Sequence, residues 1–566
     1  MPAPAHPALL SVPRRVNILV IGGASALFAS RAALAPTRPG PIVFADEAGY
    51  LGAARLLVGG PRFYMGSSPF YRAGYSLLLL PVARLGVEPQ IAYRLVVVIN
   101  SALAASLFPL LFLLLRRSFQ MPPAAALGGA IVGATYPTVS SFTQIALSEN
   151  VLFPLIVVWL LAFHFLIDSK GAKALLAGLA VGACAASLWM VHGRMVVVLG
   201  VTVMALAMLA WHRRIPVPAA LIALAVICLG LILTRRLDDF VIDGNYGGHA
   251  AAESDTLMAG LDSVQSAAAV LRNLLGSAWY LVVASFGLLA MLIPNVVGKS
   301  WRGLRRRGFS SADLSLGLLL TAMAGLLIVS ALWFAKPTRS DELVYGRYVE
   351  PVVPPFIAVG VAMLMNRSLR PRIGRALCVV TVLTLVVAAL RSGAKFPGES
   401  ANRWSIASMP FITFDVAPAA IVGAGFVAAA GAWAVSITSR RADRAVWLVL
   451  LALFVPVTAF TQVRLVRGDD HNIYRAGWTS PQEVVESHGA QVGYDTSQFD
   501  RITIKVDQYF LPHTKFEPFD ATTTPPPARL IFSGPNWSKD HPEPPARILW
   551  RDPGRNQVLW LLSSSG

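Results

Sequence analysis

Thirteen long apolar runs constrain the fold of this chain more than any other feature. A helix rises 1.5 Å per residue, so about 20 apolar residues are needed to cross a hydrocarbon core about 30 Å thick. Only 14% of the 566 residues are charged, whereas soluble domains carry about 25%. We therefore predict thirteen membrane-spanning helices. The runs lie near residues 16–34, 91–115, 123–141, 147–167, 172–191, 194–211, 216–234, 276–297, 312–335, 351–366, 373–391, 414–437 and 444–465.

The first run, 16–34, follows Arg14 and Arg15 and could also serve as a signal peptide. Its cleavage would leave twelve spans. No clear small-x-small cleavage site precedes a polar stretch, so we interpret this run as a retained helix.

The positive charges between the runs predict the orientation. Lys and Arg concentrate in cytoplasmic loops, and here alternate loops carry basic clusters. The N-terminus is then cytoplasmic and the C-terminus external, as in a multi-pass protein of a bacterial inner membrane. This topology accounts for the net charge of +18, so we expect a lipid bilayer and no nucleic acid as partner. The clusters are Arg14 and Arg15; Arg116 and Arg117; Lys170 and Lys173; Arg213 and Arg214; Lys299, Arg302, Arg305, Arg306 and Arg307; Arg367, Arg370, Arg372 and Arg375; and Arg440, Arg441 and Arg444.

The longer segments between runs fall on the outer side. One outer stretch, 70–87, is itself apolar, but a span there would invert every later loop, so we predict an interfacial helix. From residue 467 the composition becomes polar and rich in proline. We predict a transmembrane module over 1–466 and an extracytoplasmic domain over 467–566. The outer segments are about 35–90, 235–275, 336–350 and 392–413.

The polar tail contains short stretches with the composition of strands, separated in part by proline clusters. The predicted fold class is therefore an all-α polytopic membrane protein with a small α/β or mostly β domain at its C-terminus. The predicted strands lie at residues 491–494, 502–505, 530–532 and 558–561.

Two adjacent acids, Asp46 and Glu47, stand about ten residues beyond the first run. Repulsion between neighbouring carboxylates raises the pKa of one of them and suits it to accepting a proton. A helix start explains the pair equally well, with Asp46 as the cap and both charges favoured by the helix dipole. The three cysteines lie in apolar runs and form no CxxC pair, so we expect neither a disulfide nor a zinc site.

The acidic pair resembles the hallmark of glycosyltransferases of the C superfold, multispan enzymes that use polyprenyl-phosphate sugars. Four further elements resemble parts of bacterial, actinobacterial and aminoarabinose-transferase-like or protein-mannosyltransferase-like members. They are Tyr75-Ser-Leu-Leu-Leu-Leu-Pro81 with Gly86 and Tyr93-Arg94-Leu95; Leu147-Ser-Glu-Asn150; His192-Gly-Arg194; and Tyr345-Gly-Arg-Tyr-Val-Glu-Pro351.

This resemblance implies transfer of a hexose or pentose, with inversion, from a polyprenyl-phosphate donor to an external glycan, glycolipid or protein. It implies Asp46 as the catalytic base and Glu47 as its helper. The residues predicted to bind the donor phosphate and the substrate could instead be partners of a helix dipole or anchors at the membrane interface. No cofactor is demanded, although the outer acids could hold a divalent ion. The predicted donor-phosphate and substrate-binding residues are Glu149, His192, Arg194, Tyr345, Arg347 and Tyr348.

Two other functions compete with a transferase. A transporter or flippase of lipid-linked sugars would place ionisable residues and broken helices inside the membrane. The spans here contain few ionisable residues, and polar groups gather at their outer ends, which favours a one-sided enzyme. A non-catalytic scaffold whose tail binds wall polymers is the third possibility.

Overall fold

The structure is a computed structural model. It describes residues 14–563 except 44, 67, 249–262, 306–309, 369–372, 395–401, 410–415, 468–479, 490, 500 and 553–555. Parts of the predicted outer loops 235–275 and 392–413 therefore lie outside the described residues. The same holds for four residues of the predicted cytoplasmic clusters, Arg306, Arg307, Arg370 and Arg372.

Apolar helices dominate the described part of the chain. Eleven are long and apolar enough to cross a membrane, and Pro123–Ala134 and Glu350–Met365 are shorter apolar segments. Each overlaps a predicted run, so the all-α polytopic fold class is confirmed. The helices before the tail are α1 Arg14–Ala32, α2 Asp46–Leu57, α3 Ser76–Arg84, α4 Pro89–Arg117, α5 Pro123–Ala134, α6 Pro137–Phe142, α7 Glu149–Asp168, α8 Ala172–Val191, α9 Val196–Trp211, α10 Val217–Asn245, α11 Val264–Ala284, α12 Leu288–Arg305, α13 Ser311–Trp333, α14 Val353–Met365, α15 Ile373–Gly393, α16 Pro418–Arg441 and α17 Val446–Thr461.

The predicted outer loop 235–275 is wrong at both ends, because α10 continues to Asn245 and α11 begins at Val264. Two of the polar residues beyond the apolar run are buried and bind the first loop. Asp238 accepts a hydrogen bond from Arg72 Nη1 at 2.6 Å, and Asn245 Oδ1 accepts one from the Phe63 amide at 2.9 Å. These contacts explain why the helix continues beyond the end of the apolar run.

The predicted single span 276–297 is also wrong, because residues 285–287 separate α11 from α12. Phe286 and Gly287 have φ values of 48° and 73°, and the Gly287 amide bonds to the Val282 carbonyl at 2.8 Å. Two successive left-handed residues end a helix. Phe286 is apolar, so a hydropathy pattern passes through this break without a signal.

The predicted interfacial segment 70–87 forms a helix only over Ser76–Arg84. Leu79 and Val82 are buried in the protein, while Leu77 and Leu78 are exposed. An apolar outer face of this kind suits contact with lipid. The helix follows α2 in the first loop and packs against it.

The tail forms a small mixed sheet with three short helices, so its α/β alternative is confirmed. The strand order is β2-β1-β3-β5-β4; β1 pairs in parallel with β2 and β3, and β5 pairs antiparallel with β3 and β4. The elements are α18 Gln482–His488, β1 Gln491–Asp495, α19 Arg501–Phe510, β2 Lys515–Phe519, β3 Leu530–Ser533, α20 Trp537–Asp540, β4 Ala546–Asp552 and β5 Gln557–Leu562.

Three of the four predicted strands coincide with β1, β3 and β5. The fourth, 502–505, is wrong because these residues belong to α19. The alternation Ile-Thr-Ile is typical of a strand, but these residues lie in a helix in which every residue from 504 to 508 is buried. Long-range packing thus overrides the local pattern.

Candidate active site

Helix α2 presents Asp46 from its first residue, beside an unusual backbone conformation. Ala45 has φ 80° and ψ −60°, the values of a γ-turn that is rare for residues other than glycine. Such a conformation costs about 1–3 kcal/mol and is found most often at functional sites. Asp46 Oδ1 accepts a hydrogen bond from Tyr71 Oη at 2.7 Å.

One guanidinium joins two carboxylates that are far apart in sequence. Arg347 donates from Nη1 to Asp46 Oδ2, from Nε to Glu149 Oε1 at 2.8 Å and from Nη2 to Glu149 Oε2 at 3.3 Å. Arg194 Nη2 donates to the same Glu149 Oε1 at 2.9 Å. The cluster therefore connects the starts of α2 and α7, the turn before α9 and the loop before α14.

The charges in this cluster balance, with two carboxylates against two guanidinium groups. Buried charges are tolerated when they are paired and hydrogen-bonded. Although burial alone would lower it, Glu149 and Asp46 hold the pKa of Arg347 well above its usual value. The Glu149 side chain is 0% exposed and that of Asp46 is 19% exposed. Asp46 is thus the carboxylate of this cluster that a substrate can reach.

Aromatic rings border the two arginines. The Arg194 guanidinium carbon lies 4.6 Å from the centre of the Tyr348 ring, and Tyr345 packs edge-on against Tyr348 at 4.8 Å. The His192 ring lies 5.8 Å from Tyr348. Burial and the neighbouring Arg194 hold the pKa of His192 well below its usual value, so we expect a neutral imidazole.

The loop that carries Arg347 is held by its backbone, which packs so closely at Gly346 that no side chain fits there. The amides of Gly346 and Arg347 both donate to the Ser405 carbonyl, at 3.1 and 3.2 Å. A Cβ atom on Gly346 would lie 1.8 Å from Tyr280 Cε1, so only glycine fits. Four residues after Gly346, Glu350 accepts a hydrogen bond from Ser408 Oγ at 2.9 Å.

Glu47 lies next to Asp46 in sequence but outside the cluster. Its side chain is fully buried and accepts hydrogen bonds from the amides of Ile42, Val43 and Ala146, each at 2.7 Å. Tyr93 Oη is its fourth donor. Burial raises the pKa of Glu47, although the four donors act in the opposite direction. Its carboxylate ties the segment before α2 to the turn before α7.

The structure thus brings together seven of the eight predicted site residues, and Glu47 alone is directed elsewhere. Sequence analysis missed the Tyr71 hydroxyl, because it placed the whole stretch 70–87 in an interfacial helix. The one available signal was Gly49, since a Cβ atom there would lie 2.5 Å from Tyr71 Cδ2. Such a small residue in a short helix indicates a close neighbour, but not which one.

The opposite face of α2 borders a cavity of about 350 Å³. Its lining is mainly apolar and includes Leu51 and Ala54 of α2, Leu79 and Val82 of α3, and Tyr509 of α19. These surroundings suit a hydrocarbon chain better than a sugar. Within the described residues, no three His, Cys, Asp or Glu side chains lie together so that they could hold a metal ion.

Comparison with known proteins decides the fold. Two crystal structures of ArnT from Cupriavidus metallidurans match nearly the whole chain. The one bound to undecaprenyl phosphate has a TM-score of 0.53 at 14% identity and covers 98% of this chain and 99% of its own. The chain has the ArnT fold. The apo structure of ArnT matches with a TM-score of 0.52 at 15% identity, covering 97% and 98% of the two chains.

The resemblance to C-superfold enzymes is therefore confirmed at the level of the fold. The ArnT match includes the tail as well as the membrane helices, since it spans nearly all of both chains. No protein-family model matches the sequence, and comparison with curated proteins finds no match.

Proposed function

We propose that this protein is a membrane glycosyltransferase that moves a sugar from a polyprenyl-phosphate donor to a hydroxyl on an external glycan, glycolipid or protein. The observation that carries this proposal is the partly exposed Asp46 joined to Glu149 through Arg347. A carboxylate base and a guanidinium able to bind phosphate are the two groups that this reaction needs side by side. The ArnT fold, seen elsewhere with undecaprenyl phosphate bound, supports the class of donor.

In the transfer, the acceptor hydroxyl oxygen forms a bond to the anomeric carbon of the sugar. The bond from that carbon to the phosphate oxygen breaks, and the leaving polyprenyl phosphate keeps the electron pair. The hydroxyl proton passes to Asp46. Attack opposite the leaving phosphate inverts the anomeric centre, by analogy with single-displacement glycosidases.

Arg347 has two roles in this proposal. In the structure it donates to Asp46 Oδ2, and this hydrogen bond occupies the oxygen that would accept the proton. A donor phosphate offers the planar guanidinium a better-matched anion, so binding of the donor draws Nη1 away and frees Oδ2 to accept a proton. Arg194, held by the same Glu149, is the second donor available to the phosphate.

The test is transfer by the purified protein in lipid nanodiscs. Undecaprenyl-phosphate pentoses and hexoses, each labelled in the sugar, are supplied with an extract of bacterial envelope glycans and glycolipids. We expect label to move to the acceptor with one donor and to stop with Asp46→Asn. No transfer with any donor would contradict the proposal.

A flippase is distinguished in sealed proteoliposomes. Movement of an intact lipid-linked sugar across the bilayer, unchanged in Asp46→Asn and without release of polyprenyl phosphate, would replace the transferase by a transporter. Binding of wall polymers without either activity would favour the scaffold.

A further inference from the structure

Two successive residues of α19, Gln508 and Tyr509, connect the tail to the helix that carries Asp46, the first directly and the second through α4. Gln508 is fully buried, and its side chain makes a reciprocal pair with the backbone of Tyr64 in the first loop. The Tyr64 amide donates to Gln508 Oε1 at 2.6 Å, and Gln508 Nε2 donates to the Tyr64 carbonyl at 3.1 Å. A glutamine amide that pairs in this way fixes the loop backbone as a neighbouring strand would.

The main chain of Gln508 holds α2 itself. Arg55, in the last turn of α2, donates from Nη1 to the Gln508 carbonyl at 2.7 Å. This carbonyl is one of the last four of α19, which have no partner inside the helix. A cation is also favoured at this negative end of the helix dipole. The contact therefore satisfies a helix terminus and anchors an arginine at once.

Arg55 connects this anchor to the surrounding loop. Its Nε donates to the Pro61 carbonyl at 3.0 Å, its Nη2 donates to the Arg62 carbonyl at 3.1 Å, and its guanidinium lies 4.8 Å from the centre of the Phe63 ring. The end of α2, the loop that follows it and α19 thus form one connected unit.

Tyr509 makes a second connection toward the start of α2. Its hydroxyl donates to the Pro89 carbonyl at 2.7 Å, and its ring packs edge-on against Tyr93 at 6.1 Å. Tyr93 in turn donates to Glu47. Both ends of α2 are therefore linked to the tail, the far end directly and the near end through Tyr93.

We infer that Gln508 is a positioning residue that holds Asp46 in register with Arg347 and Glu149. This inference rests on the proposed function, since it concerns the same base. Arg55 lies nine residues from Asp46, which is about 13 Å along the helix axis, so Gln508 acts through α2 and not on the substrate. Gln508→Ala keeps the main-chain carbonyl that Arg55 binds and removes the side-chain pair with Tyr64. The loop that follows α2 then loses its attachment to the tail, which lets α2 shift while the Arg347–Glu149 pair stays in place. A displacement of about 1 Å at a catalytic group costs about 100-fold in rate.

The experiment compares Gln508→Ala with Gln482→Ala in the full-length protein in nanodiscs. Gln482 is a half-buried residue of α18 whose side chain bonds within its own helix to Glu486, so it controls for loss of a glutamine from the same domain. We expect Gln508→Ala to lower kcat about 10- to 100-fold and to leave the donor KM within about twofold. Gln482→Ala should match the wild type.

A second variant keeps the test valid if Gln508→Ala folds poorly. Gln508→Met keeps nearly the same side-chain volume and loses both hydrogen bonds to Tyr64, so its kcat should fall as far as that of Gln508→Ala. A purely structural role predicts a lower unfolding temperature with unchanged kcat per folded molecule, and that result overturns the inference.

Hydrogen exchange of the backbone amides of α2 provides a readout that does not depend on activity. Exchange should be faster in Gln508→Ala than in the wild type and unchanged in Gln482→Ala. If no donor supports transfer, the proposed function fails, while this measurement still decides whether the tail holds α2. Equal exchange in all three proteins contradicts the inference.

Discussion

The first turn of α2 has two sides, and the comparison between them separates chemistry from architecture. Asp46 and Glu47 are adjacent, but a helix turns about 100° per residue, so their carboxylates face different surroundings. Asp46 is partly exposed and binds side chains, Tyr71 and Arg347. Glu47 is sealed from solvent and is held largely by backbone amides. A carboxylate held by groups that cannot move is suited to holding loops, whereas one held by mobile side chains can be released to react.

The largest expected effect tests the Asp46 side. Asp46→Asn keeps the size of the side chain and removes its basicity, so turnover should fall at least about 100-fold while donor binding survives. Turnover is measured as release of polyprenyl phosphate, and binding by titration of the donor. Asp540→Asn, an exposed acid of the tail, is the matched control. Wild-type turnover in Asp46→Asn would move the base to another acid, Glu149 first.

The next effect concerns Arg347, the side chain that joins Asp46 to Glu149. Arg347→Ala should weaken use of the donor about 10- to 100-fold, because charge-assisted hydrogen bonds contribute about 1.5–3 kcal/mol each. Arg347→Lys should weaken it less, since lysine keeps the charge and loses the planar fork. Donor titrations on the folded fraction check both variants. If Arg347→Ala matches the wild type and Arg194→Ala fails, Arg194 is the phosphate ligand.

A smaller effect, on stability, tests the Glu47 side. Glu47→Gln places an amide donor against four donors, so the free energy of unfolding should fall by about 1–3 kcal/mol. The kcat per folded molecule should stay within a few-fold of the wild type. Tyr93→Phe, which removes a single donor, should cost about 1 kcal/mol. Equilibrium unfolding in detergent and the transfer assay measure the two quantities, and a stable but inactive Glu47→Gln would restore Glu47 as a chemical helper.

The smallest effect lies between the two sides, at the turn before α2. Ala45→Gly removes the penalty for φ 80° and adds flexibility to the unfolded chain, so the net gain should be up to about 1–2 kcal/mol. Ala45→Val should destabilise the protein instead. Thermal unfolding of the three proteins checks the order, and destabilisation by glycine would show that the turn is not strained.

The membrane helices followed from apolar length, and the cluster residues followed from the family resemblance, but one physical argument makes their meeting plausible. Apolar length and loop charge determine which helix ends share a side of the membrane, and Glu149, Arg194 and Arg347 each stand at such an end. Residues at those ends could be expected to meet. The Arg367 contact with Asp443, at 2.7 Å, shows that two loops assigned to the opposite side also meet each other.

Other features could not be predicted because their cause lies far away in the chain. Tyr71 reaches Asp46 through a loop without periodicity, and the carbonyl of Ser405 that holds Arg347 belongs to another loop. Phe286 ends a helix through its backbone angle while its side chain suggests continuation. Glu47 looked like a partner of Asp46 because sequence distance carries no information about direction around a helix.

The long reach of Arg347 has a consequence for biogenesis. Arg347 bonds to Asp46 across 301 residues and to Glu149 across 198. At about 5–20 residues per second, the ribosome needs about 15–60 s to supply the arginine after Asp46 has emerged. During that interval Glu149 has only Arg194, 45 residues later, as its counter-charge. The early helices must therefore enter the membrane with an incomplete ionic centre. A nascent chain halted before residue 347 should therefore be recognised by folding quality control, since Asp46 and Glu149 would lack Arg347 and stay open to water and to chaperones.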